Sequence, residues 1–227
     1  MRIAILGDIH GNLPALDAVM GDIQKAAPDE VWCTGDLAWT GPWASACIER
    51  VRSSGWITVK GNADVWVTGD PQTISDEQER RTYEAIAAAH AISEDDARWL
   101  LNLPLGHSGP GSILMVHGTP ESPFSGPAPD APPAEFTAYE GHAALVVYGH
   151  VHVAFTRRLT DATLVCNTGS VGLPMDGETA SYLLIDREGT DFVLRHRRVA
   201  FDRDAVIQEA RSRNDAAGQR FLQLMGA

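Results

Sequence analysis

Short apolar runs rich in isoleucine and valine alternate with segments of helical period along the first hundred residues. Residues 3–6, Ile-Ala-Ile-Leu, form an unbroken apolar run of the length of a buried strand. Behind it, Asn12 is placed to cap a helix whose Pro14 falls in the first turn and whose Leu16, Val19, Met20 and Ile23 share one face. Residues 31–33 read as a second strand, Ala44, Cys47, Ile48 and Val51 return at helical spacing, and residues 56–59 read as a third strand before Gly61. Ser75 with Gln78, and Ser93 with Asp96, have the spacing of helix starts and lead into Ala- and Glu-rich stretches, so two helices are expected between 75 and 102.

From residue 113 onward strands dominate, with 113–116, 145–148, 153–157, 163–166, 182–186 and 192–198 as the expected segments, and Asp202 or Asp204 opens a closing helix. Between the strands near 116 and 145 stand six of the thirteen prolines, Pro120, Pro123, Pro127, Pro129, Pro132 and Pro133, which predict a semi-rigid loop. Strand and helix units followed by a strand-rich half indicate a layered α/β architecture. The expected organisation is one domain over residues 1–227, carrying a helical insertion at about 70–102 and a Pro-rich loop at about 119–140.

Composition narrows the partners more than the fold. A chain that is 44% hydrophobic and 21% charged is ordinary for a globular protein, but a formal net charge of −12 argues against a nucleic-acid polymer as partner. The densest basic cluster, Arg195, Arg197 and Arg198, reads as the solvated face of a strand. Cys33, Cys47 and Cys166 are odd in number and lack metal-type spacing, so a reducing, cytoplasmic setting is expected. The apolar run after Met1 and Arg2 is too short for the core of a signal peptide, and no run reaches the roughly 18 residues of a membrane span.

The chemistry is concentrated just after the predicted strands. Asp8 and His10 follow the first, Asp36 the second, Asn62 the third, His117 the strand ending near 116, and His150 and His152 the strand ending near 148. Ligands of open α/β sheets bind outside the carboxyl ends of the strands, so these side chains can converge despite their separation. A glycine adjoins nearly every position, as tight turns and close backbone approach require. Two carboxylates, one amide oxygen and four imidazoles form a mixed N/O set suited to manganese, iron, zinc, nickel or cobalt rather than to calcium. Asp36, central among the motifs, is the candidate to bridge two ions about 3.5–4 Å apart.

Five blocks, Gly7-Asp8-Ile9-His10-Gly11-Asn12, Gly35-Asp36, Gly61-Asn62-Ala63-Asp64, His117-Gly118 and Gly149-His150-Val151-His152, resemble in order and content the calcineurin-like metallophosphoesterase family. The likeness spans roughly residues 1 to 200 and is greatest to the family's small bacterial and archaeal phosphodiesterases, through Gly41-Pro42 and the closing Asn167-Thr168-Gly169-Ser170-Val171-Gly172. It implies two packed mixed β-sheets flanked by helices, a four-layer αββα sandwich. It also implies two divalent ions, manganese foremost, the first held by Asp8, His10, Asp36 and His152 and the second by Asp36, Asn62, His117 and His150. The implied activity is a phosphodiesterase acting on a small phosphate ester, with a hydroxide shared by the ions attacking phosphorus and Asp36, Asn62, His117 and His150 nearest the chemistry. A phosphomonoesterase, a protein phosphatase, or a metal-binding scaffold of little activity are the alternatives.

One position departs from the family pattern: Ala63 stands where many members carry a histidine that assists the leaving group. General acid catalysis typically contributes about 10²–10⁴-fold, so the departure points toward a histidine-deficient phosphodiesterase. His90, His107, His142 and His196 lie in no motif and are expected to be structural or superficial. Trp39, Trp43 and Trp66 follow the second and third motifs, where core packing is the simpler reading and stacking on an aromatic ester the sharper one. The loop after His117 could wall the substrate pocket.

Overall fold

A computed structural model describes residues 1–69, 74–189 and 191–227. In chain order the elements are β1 Arg2–Leu6, α1 Leu13–Ala26, β2 Glu30–Cys33, α2 Ala44–Ser54, β3 Ile57–Thr58 and the short α3 Asn62–Trp66. Then come α4 Glu77–His90, α5 Glu94–Leu101, β4 Gly106–Gly109, β5 Ile113–Val116, a 3₁₀ helix Pro133–Tyr139 and β6 Leu145–Tyr148. The chain closes with β7 Ala154–Arg158, β8 Leu164–Thr168, β9 Ala180–Glu188, β10 Asp191–Val199, α6 Arg203–Arg213 and α7 Ala216–Met225.

These strands form two mixed sheets of five, in the orders β10-β9-β1-β2-β3 and β4-β5-β6-β8-β7. β1, β2 and β3 run parallel in the first, and β5, β6 and β8 run parallel in the second. Period-two alternation divides β1 between two cores. Ala4 and Leu6 face a cluster shared with α1, α2 and buried residues of α3 to α5, whereas Ile3 and Ile5 meet Ile113, Met115, Leu145, Val147 and Cys166 of the other sheet. The outer face of the second sheet, Val116, Val146, Tyr148 and Val165, is covered by Phe136 and Tyr139 of the 3₁₀ helix. Helices α6 and α7 close a fourth cluster around Phe221.

Where the structure departs from the sequence expectation, local chemistry gives the reason. Asp76 rather than Ser75 caps α4, accepting from Glu79 N–H, while Ser93 and Asp202 cap α5 and α6. The expected insertion begins at 70, and residues 70–73 lie outside the described part. β4, Gly-His-Ser-Gly, carries no hydrophobic periodicity and exists through its pairing with β5. The 3₁₀ turn inside the Pro-rich loop and the second closing helix α7 were likewise unmarked. Each of the three arginines of β10 pairs with a carboxylate, Arg195 with Asp186, Arg197 with Asp22 and Arg198 with Asp176. Among the described residues no helix is long and apolar enough to cross a membrane.

Candidate metal centre

All seven expected residues sit just past the carboxyl ends of β1, β2, β3, β5 and β6, and the packing of the two sheets brings these ends together. Sharp turns are needed to aim the side chains back across the strand ends. Asp8, His10, Asp36, His150 and His152 all adopt left-handed backbone, with φ of 51°, 49°, 56°, 70° and 60°. Such conformations are costly for residues with a Cβ and persist where the surroundings impose them.

Two groups of donor atoms result. Asp8, His10, Asp36 and His152 each offer one atom within 4.8 Å of the others. His152 Nε2 lies 3.0 Å from His10 Nε2 and 3.3 Å from Asp8 Oδ1, and His10 Nε2 lies 3.6 Å from Asp36 Oδ2. A tetrahedral ion with bonds near 2.1 Å spaces its ligands by about 3.4 Å, so this group has the dimensions of a single divalent site. In the second group Asn62 Oδ1 is 2.8 Å from both His117 Nε2 and His150 Nδ1. Asp36 Oδ2 belongs to both groups, because it also stands 3.4 Å from His117 Nε2.

Proton positions follow from the outer partners. A carbonyl oxygen can only accept, so His117 Nδ1–H donates to Thr34 O at 2.8 Å and His152 Nδ1–H donates to Leu173 O at 2.9 Å. Both rings therefore turn Nε2 inward, the atom that a metal-ligating histidine offers. His10 Nδ1 is buried with no hydrogen-bond partner among the described residues. Converging lone pairs need either a cation between them or a donor. At Asn62 a half-turn of the amide supplies one, placing its NH₂ 2.8 Å from His117 Nε2 and His150 Nδ1 and 3.2 Å from Pro123 O, three acceptors for two hydrogens. Burial above all holds His10 well below the usual imidazole range, and burial with the neighbouring His117 brings His150 down to about 4. Asp36 is raised well above an ordinary carboxyl by burial and by the charges of Asp64 and Asp8. Asp8 is brought to about 2 although burial opposes it, because His152 and the other imidazoles attract its charge. The donor set thus gathers imidazole nitrogens and crowded carboxylates, the environment that a cation relieves.

The surrounding residues fix these groups. Asp36 Oδ1 accepts Ala63 N–H at 2.8 Å, which leaves Oδ2 to the shared position. Asp64 accepts the N–H groups of Asp36, Leu37 and Gly61 at 2.9, 2.8 and 2.8 Å. Its place at the third position of α3, after a capping Gly61, is the signal that could have marked it. Ser170 Oγ donates to Asp8 O at 2.7 Å and accepts Leu173 N–H, while Asn167 Nδ2 donates to Gly149 O. Two glycines are required by proximity: an added Cβ at Gly61 would lie 2.0 Å from Asp36 Oδ1, and one at Gly149 2.6 Å from Asp8 Oδ2.

Of the histidines outside the motifs, His90 is buried and its Nε2 accepts Thr40 N–H at 2.9 Å in the turn after Asp36. His107 packs edge-on against Trp32, and His196 lies 2.8 Å from Asn167 O. Trp39 is a core residue and Trp43 packs on the α6–α7 cluster, whereas Trp66 is only partly buried.

A family model described as the calcineurin-like phosphoesterase superfamily domain matches residues 1–190. An uncharacterized protein of Methanocaldococcus jannaschii is 29% identical over 223 residues, 88% of each chain. A symmetrical bis(5′-nucleosyl)-tetraphosphatase of Actinobacillus pleuropneumoniae is 29% identical over 150 residues, 63% of this chain, which spans only 55% of that enzyme's length. The crystal structure of a metallophosphoesterase from Sphaerobacter thermophilus superposes with a TM-score of 0.77 at 25% identity, covering 100% of this chain and 99% of the other.

Proposed function

Since the chain belongs to the calcineurin-like phosphoesterase superfamily, we propose that it is a phosphodiesterase hydrolysing a small phosphate ester at a dinuclear centre. The observation that carries this reading is Asp36 Oδ2, one carboxylate oxygen facing both donor groups. Asp8, His10, Asp36 and His152 would hold one ion, and Asp36, Asn62, His117 and His150 the other. Manganese suits the set first, with iron, zinc, nickel or cobalt also compatible. A pair of such ions supplies an activated water and neutralises charge on the phosphoryl group.

The chain's own part is preorganisation. Thr34 and Leu173 carbonyls fix two ring tautomers, and Ala63 N–H fixes the Asp36 carboxylate. Ala63 has no proton to give, so an ester with an acidic leaving group is the preferred substrate. A single domain of 227 residues acting in the cytoplasm fits this reading, and all three cysteines are buried thiols. A second reading, cleavage of a dinucleoside tetraphosphate, draws on the matched tetraphosphatases, over about half of whose length this chain extends.

The test is a substrate panel on metal-stripped protein reloaded separately with Mn, Ni, Zn and Fe. Two ions per chain are expected, with bis-aryl phosphate turned over faster than aryl monophosphate, phosphopeptide or dinucleoside tetraphosphate. Asp36→Asn should lower both ion stoichiometry and turnover strongly. Metal binding without turnover of any substrate would instead make the chain a scaffold, and full activity in Asp36→Asn would remove the bridge.

A further inference from the structure

Trp66 and Phe124 adjoin the Asn62 side of the centre, and the core explains only one of them. Trp66 follows Asn62 by four residues on α3, so the two side chains leave the same face of that helix. Phe124 follows Pro123, whose carbonyl oxygen lies 3.2 Å from the Asn62 side-chain amide. The two rings meet at a centroid distance of 6.1 Å and an angle of 45°. Trp66 is backed by Trp39 at 5.8 Å and by Tyr83 edge-on at 4.7 Å, which fixes its plane. Phe124 is partly buried yet joins none of the four hydrophobic clusters among the described residues.

The loop that presents Phe124 is held on both sides. Tyr139 Oη donates to Gly118 O at 3.0 Å and Tyr148 Oη to Pro127 O at 2.5 Å. Gly126 packs close to Tyr148 and His150, where an added Cβ would lie 3.2 Å from the Tyr148 ring and 3.5 Å from the His150 ring. An apolar ring pinned beside a polar centre, without a role in the core, offers a flat face to a flat partner.

We infer that Trp66 and Phe124 form an aromatic floor that binds the planar ring of the substrate's second ester group, an aryl ring or a nucleobase. The inference rests on the phosphodiesterase reading and names its substrate class: diesters in which one esterified group is a flat ring system. Phe124 is the specificity-determining residue of this floor, because its removal leaves the Trp39–Trp66–Tyr83 packing in place.

Three diesters sharing a p-nitrophenyl leaving group separate binding of the second group from chemistry: the methyl, phenyl and thymidine-5′ esters, assayed on metal-loaded protein. The wild type should favour the two ring esters over the methyl ester in kcat/KM. Phe124→Ala and Phe124→Leu should each reduce that preference roughly tenfold through KM, the scale of one base–aromatic stack, and Phe124→Trp should restore it. Loss of preference for the phenyl or the thymidine ester identifies which ring the floor takes. Calorimetric titration with thymidine 5′-monophosphate and methyl phosphate should show the same selective loss in Kd without turnover. An unchanged ring-to-methyl ratio in folded Phe124→Ala and Phe124→Leu overturns the floor even if all three diesters are hydrolysed. Selective ring binding without hydrolysis of any diester keeps the floor and overturns the phosphodiesterase reading.

Discussion

The Asp64 carboxylate accepts the backbone N–H of Asp36 across 2.9 Å, so the turn that carries the shared oxygen is held from α3. Its two oxygens take three N–H groups in all, and Asp64 is fully buried. Asp64→Asn would keep one acceptor and set an NH₂ against buried N–H donors, at a cost of about 2–4 kcal/mol. For a chain of this size each kcal/mol moves the melting temperature by roughly 2–4 °C. The expected result is a melting temperature lowered by about 5–15 °C together with metal affinity weakened roughly 10–100-fold, the usual scale for loss of an outer-shell partner. Differential scanning calorimetry and metal titration check both. A variant with wild-type melting and affinity would leave Asp64 without its positioning role.

The difference between Asp64 and Asp36 shows what the sequence made legible. Asp36 was marked because it follows a strand and a glycine in a repeated arrangement, and strand ends are where layered α/β folds gather ligands. Strands such as β1 and β6 were equally plain, because their runs are buried on both faces. Asp64 acts on backbone groups 28 and 27 residues away, a relation without periodicity. Phe124 and Trp66 are brought together only by the path of the Pro-rich loop. β4 shows the same limit in the fold, since its glycines carry no strand signal and pairing with β5 alone defines it.

His90 predicts a pH dependence. Burial, and then the charge of Arg213 against the opposing pull of Asp215, lowers its imidazole from 6.5 to about 4. The unfolded chain therefore takes up this proton first as pH falls. The stabilising contribution is complete above about 6.5 and is lost as pH drops toward 4, a difference of about 3 kcal/mol at 1.36 kcal/mol per pH unit. His90→Gln keeps an oxygen to accept Thr40 N–H but does not titrate. The stability of the wild type minus that of the variant, from urea unfolding at matched metal concentration, should fall by about 3 kcal/mol between pH 7 and pH 4. A difference independent of pH would show that His90 remains able to charge in the folded protein.

Ala63 is fully buried within the helix-facing cluster. The position is therefore filled by packing, and a histidine there would overpack the core at about 1–3 kcal/mol while burying a polar ring. Ala63→His should melt earlier than the wild type and should not raise kcat on diesters with poor leaving groups. A rise of about 10²-fold or more in kcat would show instead that the position opens toward the reacting phosphate.

Gly61 is the sharpest test of the shared oxygen, because its own backbone is unexceptional. Its φ of −94° suits alanine as well as glycine, so strain is not the obstacle. Space is: an added Cβ would stand 2.0 Å from Asp36 Oδ1 and 2.5 Å from Asp36 N, both held by hydrogen bonds from or to α3. In Gly61→Ala the Asp36 carboxylate must leave Ala63 N–H, and Oδ2 can no longer face His10 and His117 together. Loss of one of the two ions is expected, with turnover of bis-aryl phosphate reduced roughly 100-fold or more, since displacement by about 1 Å has that effect in a preorganised site. Elemental analysis of the purified, reloaded variant reads the stoichiometry, and circular dichroism confirms that it is folded. Two tightly held ions in folded Gly61→Ala would mean that Asp36 can move without breaking the centre, and the single-oxygen bridge would have to be abandoned.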